Sequence, residues 1–354
     1  MPRAVKTSLA EFSRLWVELG VRAWEQSWWQ MSGELGNLLG AIIGAADNSV
    51  SIHQNVTTAQ AVICSAVPPS PRRNRVVYSE LNFPSVRYLY QAQPELEVKV
   101  VPCPDRISVP LDALVAAIDE RTLLVPISHV IFRSGAIVDS RPVIEKAHQV
   151  GARVVLDAYQ SCGTVPLNVT DLGVDFAVGG SVKWLCGGPG VAYLYVRPDL
   201  TRTLRPQLTG WMAHSRPFAF EAEMDYCSSS YRFLNGTPNI PGMYTARPGY
   251  EMIREIGVDR IRRRSISLTR RIVELALGAG FEINSPLAEE QRGGAVTVNP
   301  PGAAGVYRRL LERNIVVDFR PDAGIRVAPH FYNSLDEIDE AMAQMRRIVN
   351  GQNL

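Results

Sequence analysis

Lysine is scarce in this chain, so each one can be placed individually. Only Lys6, Lys99, Lys146 and Lys183 occur among 37 basic residues, the rest being arginine. Lys6 lies near the N-terminus, and Lys99 sits in LEVKVV, at a position expected to face solvent from a strand. Lys146 falls on the polar face of a helix in PVIEKAHQV. Lys183 alone stands among glycines and small residues, in GGSVKWLCGGPG. Upstream, an apolar run (Ala152, Val154, Val155, Leu156) ends in Asp157, and a second run (Phe176, Ala177, Val178) leads to the lysine. An acid at the end of one buried strand and a lysine just past the next could form a clamp. The carboxylate would hold a pyridinium nitrogen while the amine forms a Schiff base with an aldehyde. Two ordinary core strands with a solvated lysine fit this spacing equally well.

A second chemical feature lies earlier. Thr57 and Thr58 stand at the start of an apolar helix predicted over 59–67. Hydroxyls and free amides at a helix N-terminus make an anion site, and simple capping by threonine explains the same pattern. The cysteines Cys64, Cys103, Cys162, Cys186 and Cys227 are scattered with no CxxC pair. That argues against a structural zinc site and a disulfide framework, and for a reduced, cytoplasmic setting. No metal site is expected.

The elements that must position these residues read as alternating strands and helices. Strands are predicted at 49–53, 75–78, 96–103, 123–130, 152–156, 176–178 and 191–196, with helices at 34–45, 59–67, 111–118 and 142–150. Such alternation indicates parallel βαβ units. Residues 201–240 lack periodicity, and a long irregular stretch in a compact enzyme usually carries function. Residues 241–277 read as helical. Strands AVTVN, IVVDFR and GIRVAPH, with helices at 304–313 and 335–349, predict a small C-terminal α/β domain. The expected organisation is an arm (1–30) rich in tryptophan, a large domain (31–245) and a small domain (246–354). The arm's Trp16, Trp24, Trp28 and Trp29 suit packing, here or on another subunit. With 354 residues, 46% hydrophobic and 20% charged, and a net charge of +2, the chain reads as a soluble enzyme with no general attraction to nucleic acid. No apolar run is long enough for a membrane span.

Taken together, NFPS, SHVIFRSG, the DAYQSCG…GGSVKWLCGGPG block, GWMAH, RFLNGTP and GIRVAPHFYNS resemble the class V aminotransferase superfamily, a fold-type-I group that uses pyridoxal 5′-phosphate, and within it the kynureninases. The resemblance covers roughly residues 30–350. It implies an α/β fold with a mostly parallel central sheet flanked by helices, a small C-terminal domain, and homodimers with shared active sites. It implies that Lys183 carries the cofactor and moves a proton between substrate and cofactor. Asp157 would pair with the pyridinium nitrogen, Phe83 would stack on the ring with Ser85 in support, and Gln160 and Ser181 would border it. Thr57 and Thr58 would bind the phosphate, with Thr237 reaching the phosphate of the neighbouring subunit. Trp211 would border the site, and Arg326 would clamp the α-carboxylate of an amino-acid substrate. Departures from the kynureninase pattern include Gln160 in place of a histidine, Val182 in place of the tyrosine before the lysine, and Val130-Ile131-Phe132 after His129, where the family has an asparagine and an aromatic. The expected reaction is Cβ–Cγ hydrolysis or related lyase chemistry. Transamination, decarboxylating deamination and cysteine desulfuration with Cys227 as the sulfur carrier are alternatives, as is a catalytically silent partner protein.

Overall fold

Two sheets organise the chain, seen in a computed structural model that describes residues 2–351. In order the elements are α1 (Val5–Leu19), α2 (Trp29–Ile43), β1 (Val50–His53), α3 (Val56–Ala66), β2 (Arg75–Ser79), α4 (Pro84–Gln91), β3 (Glu97–Val101), α5 (Leu111–Ala116), β4 (Thr122–Ser128), α6 (Arg141–Gln149), β5 (Arg153–Asp157), α7 (Val169–Leu172), β6 (Phe176–Gly180), β7 (Ala192–Val196) and α8 (Pro198–Thr201). There follow α9 (Ile240–Ile256), α10 (Val258–Gly278), β8 (Glu282–Ile283), β9 (Val296–Asn299), α11 (Ala303–Glu312), β10 (Asp318–Arg320), β11 (Gly324–Val327) and α12 (Leu335–Val349).

The large sheet runs β1-β7-β6-β5-β4-β2-β3. Every pairing from β6 to β3 is parallel, and only β7 runs against its two neighbours. The strands β4, β6 and β7 are buried along their whole length, as expected where helices cover both faces and the strands read as apolar runs. One core packs α2, α9 and α6 on one face of the sheet, with Leu35, Leu39, Val143 and Tyr250 buried. The other face carries α3 and α4, with Ile63, Tyr78, Tyr90 and Phe176. The antiparallel second sheet, β10-β11-β9-β8, has a core of its own formed with α10, α11 and α12.

The elements largely match the pattern read from the sequence, with local differences. Helix α2 begins at Trp29, five residues ahead of expectation, because a π-turn at Trp24–Trp28 feeds directly into it. The helical stretch 241–277 is two helices, broken at Gly257. Of IVVDFR, only Asp318–Arg320 joins the ladder; the chain turns at Asn314, and Val316 is exposed. The short strand β8 carries no clear alternation and is a partner strand that the sequence pattern does not reveal. The tryptophan-rich segment folds back on its own chain: Trp28 is buried, stacks on Phe12 at 5.6 Å and donates from Nε1 to the Tyr244 hydroxyl at 3.3 Å. No helix among the described residues is long and apolar enough to cross a membrane.

Candidate active site

The parallel strands end on one side of the sheet, and the loops there enclose a cavity of about 320 Å³. This is where open α/β sheets bind ligands. Asp157, the last residue of β5, and Lys183, just past β6, both line it, so the sheet brings together the two residues that the sequence singles out. Asp157 is buried and accepts the Tyr159 amide at 2.9 Å. Burial pushes its carboxyl up, against the Tyr159 amide and the Lys183 charge. Burial, and then the Arg326 guanidinium, push the Lys183 amine down to about 8, partly opposed by Asp157. A neutral, nucleophilic amine is therefore within reach near neutral pH.

Two aromatic rings flank that amine. Lys183 Nζ lies 4.5 Å from the Tyr159 ring centroid and 5.8 Å from that of Phe83. Phe83 is held extended (φ −59°, ψ 140°) by Pro84 at the first position of α4, and its ring meets the edge of Phe132 at 5.1 Å. Tyr159 lies close over β6, where a Cβ on Gly180 would come within 2.6 Å of its ring, so only glycine fits there. The Lys183 loop in turn rests on α9, where a Cβ on Gly249 would come within 2.2 Å of the Leu185 carbonyl oxygen.

Helix α3 points its N-terminus at the same cavity, and Gln54, Asn55, Val56 and Thr57 line it. The cap is Asn55, not a threonine: its side-chain oxygen accepts the Thr58 amide at 2.9 Å and the Thr58 hydroxyl at 3.2 Å. Thr58 is thereby turned to Asn55 and does not line the cavity, while Thr57 does. The first-turn amides have no partner inside the helix, so the end remains suited to an anion.

The second sheet closes the other side. Arg326, on β11, donates to the Phe132 carbonyl and is ion-paired with Asp318 at 2.7 Å. With its amide turned to satisfy both donors, the Gln160 oxygen accepts from Lys183 Nζ at 3.2 Å and from Arg326 Nη1 at 3.1 Å. Its NH2 group is then the donor left for a ligand. Val182 exposes its isopropyl group to the cavity.

Of the expected site residues, Thr57, Phe83, Ser85, Asp157, Gln160 and Lys183 line this one cavity, and Arg326 touches it through Gln160. The Ser181 hydroxyl is instead buried against the Tyr250 hydroxyl at 2.6 Å. Trp211 packs against Trp29 at 5.5 Å, away from the cavity. Thr237 is exposed in the loop before α9. Cys227 lies in a separate hollow with its sulfur 3.2 Å from the Ser229 hydroxyl. Tyr159, Asn55 and Phe132 are cavity residues that the sequence reading leaves unassigned. Asn55 before an apolar helix is a capping signal that could have been read; Tyr159 and Phe132 carry no such signal.

A phosphorylated heteroaromatic aldehyde fits this donor set. It meets an amine of lowered basicity, a buried carboxylate, two flanking rings and a helix N-terminus, all lining one cavity. The aminotransferase class-V profile matches residues 2–336. The chain is 31% identical over 312 residues to an uncharacterized aminotransferase, YcbU, of Bacillus subtilis, covering 87% of this chain and 81% of that one. It is 28% identical over 371 residues to kynureninase of Bacillus thuringiensis, covering 99% and 86%. The solved structure of a C-DES variant, with glycine linked to its PLP cofactor, superposes with a TM-score of 0.88 at 19% identity, covering 98% of this chain and 93% of that one. The chain belongs to the aminotransferase class-V family and is a pyridoxal-phosphate enzyme.

Proposed function

We propose that the protein cleaves an amino-acid substrate by kynureninase-like chemistry, Cβ–Cγ hydrolysis or a related lyase reaction, after loss of the Cα proton. The observation that carries this reading is the Lys183 amine, brought down to about 8 inside a cavity that also holds Asp157 and two aromatic rings. When bound, the cofactor supplies an electron sink for charge developing at the substrate Cα. Lys183 Nζ would hold its aldehyde carbon and later carry the Cα proton. Asp157 would keep a proton on the ring nitrogen. Phe83 and Tyr159 would orient the ring, and the α3 N-terminus with Thr57 would take the phosphate. Arg326 would take the substrate carboxylate in a bidentate fork. Thr237 would reach the phosphate site of a second subunit in a homodimer.

Among the described residues lining the cavity, the ionisable groups are Asp157, Tyr159 and Lys183. Val182 has no proton to give at its place in the cavity wall, and Gln160 holds the two cations without adding charge. This favours steps in which Lys183 is the single mobile base. Adding pyridoxal phosphate to the purified protein is expected to give visible absorbance, and Lys183→Ala is expected to abolish it. Protein that stays colourless would sink the proposal. A panel of amino acids, including kynurenine and cysteine, with product masses measured, identifies the bond that breaks.

A further inference from the structure

The carboxylate clamp is already occupied from within. Asp318 on β10 and Arg326 on β11 are direct cross-strand partners. Arg320 stands two residues along β10 from Asp318, where strand periodicity puts it on the same face. A single carboxylate oxygen, Asp318 Oδ2, lies 2.7 Å from Arg326 Nη2 and 2.8 Å from Arg320 Nη2. These are ion-pair distances without aligned hydrogen bonds, and Nε of both arginines is buried with no partner. The pair is thus close in charge but poorly matched in direction. Asp318 itself is more open to solvent than Arg326, whose side chain is only 12% exposed. Arg326 is held in place independently, by the Phe132 carbonyl and the Gln160 amide oxygen, so it does not depend on Asp318 for position.

We infer that Asp318 is a resident carboxylate that competes with the substrate carboxylate for Arg326 and so sets the affinity of the site. An incoming carboxylate, free to align with both edges of the guanidinium, makes the bidentate contact that Asp318 cannot. On its arrival Asp318 keeps Arg320 as its partner, so no carboxylate is left unpaired. Between turnovers the same contact keeps a buried guanidinium from standing alone.

This inference rests on Arg326 being the substrate clamp, and the experiment separates the two. Propionate is titrated into the cofactor-loaded protein by calorimetry, with propionamide as the uncharged control. Asp318→Asn is expected to bind propionate roughly fivefold more tightly, the scale of one partly exposed ion pair, with propionamide unchanged. Asp318→Glu is expected to keep wild-type affinity. Weaker or unchanged propionate binding in Asp318→Asn overturns the inference, since a residue that merely braced Arg326 would weaken binding on removal. Arg326→Gln tests the underlying reading: if that variant binds propionate as well as wild type, the clamp assignment falls, whatever Asp318 does. Should Asp318→Asn fail to fold, Asp318→Ala takes its place with the same expectation.

Discussion

Lys183 is costly to the empty fold. Its amine is held at about 8 in the folded chain against an ordinary value of 10.5. Below pH 8 the amine is protonated both folded and unfolded, and the full penalty of burying its charge is present. Between the two values the unfolded chain holds a proton that the folded one lacks, so stability rises with pH. Cofactor-free Lys183→Met is therefore expected to be more stable than cofactor-free wild type at pH 7, by on the order of 2 kcal/mol. The gap should close as pH rises above 8, and urea unfolding at pH 7 and pH 9.5 checks both. For Asp157→Asn, cofactor uptake should survive, because Lys183 and the α3 N-terminus remain, while turnover falls about 100-fold or more. Simultaneous loss of absorbance would mean that Asp157 braces the cavity rather than serving the ring. At this scale the sequence is informative where a residue's type is rare in its setting. A lysine among glycines announces itself, whereas Asp318 is one acid among many. Its role depends on a cross-strand register that no local pattern encodes.

The elements position the site through their ends and through close approaches. Asn55 caps α3, so Asn55→Ala should cost about 1 kcal/mol of stability and also weaken cofactor affinity, because the first turn frays where the phosphate would sit. Thr57→Val should weaken cofactor binding with little change in thermal midpoint, since Thr57 lines the cavity and does not cap the helix. A titration of pyridoxal phosphate against melting curves distinguishes the two. Gly249→Ala on α9 should destabilise by about 1–3 kcal/mol or more, because the new methyl group drives into the Leu185 carbonyl. The alternation of buried strands and helices was legible because periodicity is a local property. The π-turn ahead of α2, the break at Gly257 and the short β8 were not, because packing against distant elements decides them.

At the scale of the whole molecule, the turn at 130–137 ties the two sheets together. The Thr297 hydroxyl donates to the Arg133 carbonyl at 2.7 Å, the Gly293 amide to Gly135 at 2.7 Å, and the Ile137 amide to Gln291 at 2.8 Å. The cavity residues Asp157 and Lys183 belong to one sheet and Arg326 to the other, so this strap sets the distance between Arg326 and the lysine. Thr297→Val is expected to weaken carboxylate binding while leaving cofactor absorbance intact, a split that calorimetry and spectroscopy read separately. If Thr237 completes a neighbouring subunit's site, dilution below the association range should lower cofactor occupancy, and Thr237→Val should lower it at all concentrations. Sedimentation with absorbance detection follows both.

Phe132 is the point where these layers meet. Its ring packs against Phe83 and carries the Arg320 guanidinium at 5.7 Å, yet its hold on Arg326 runs through a main-chain oxygen. A main-chain contact survives any change of side chain. Descendants of this protein can therefore alter the ring at position 132, and with it the shape of the cavity, without surrendering the grip on Arg326. The position is a natural place for selectivity to drift, or to be steered in the laboratory, while the core chemistry stays intact.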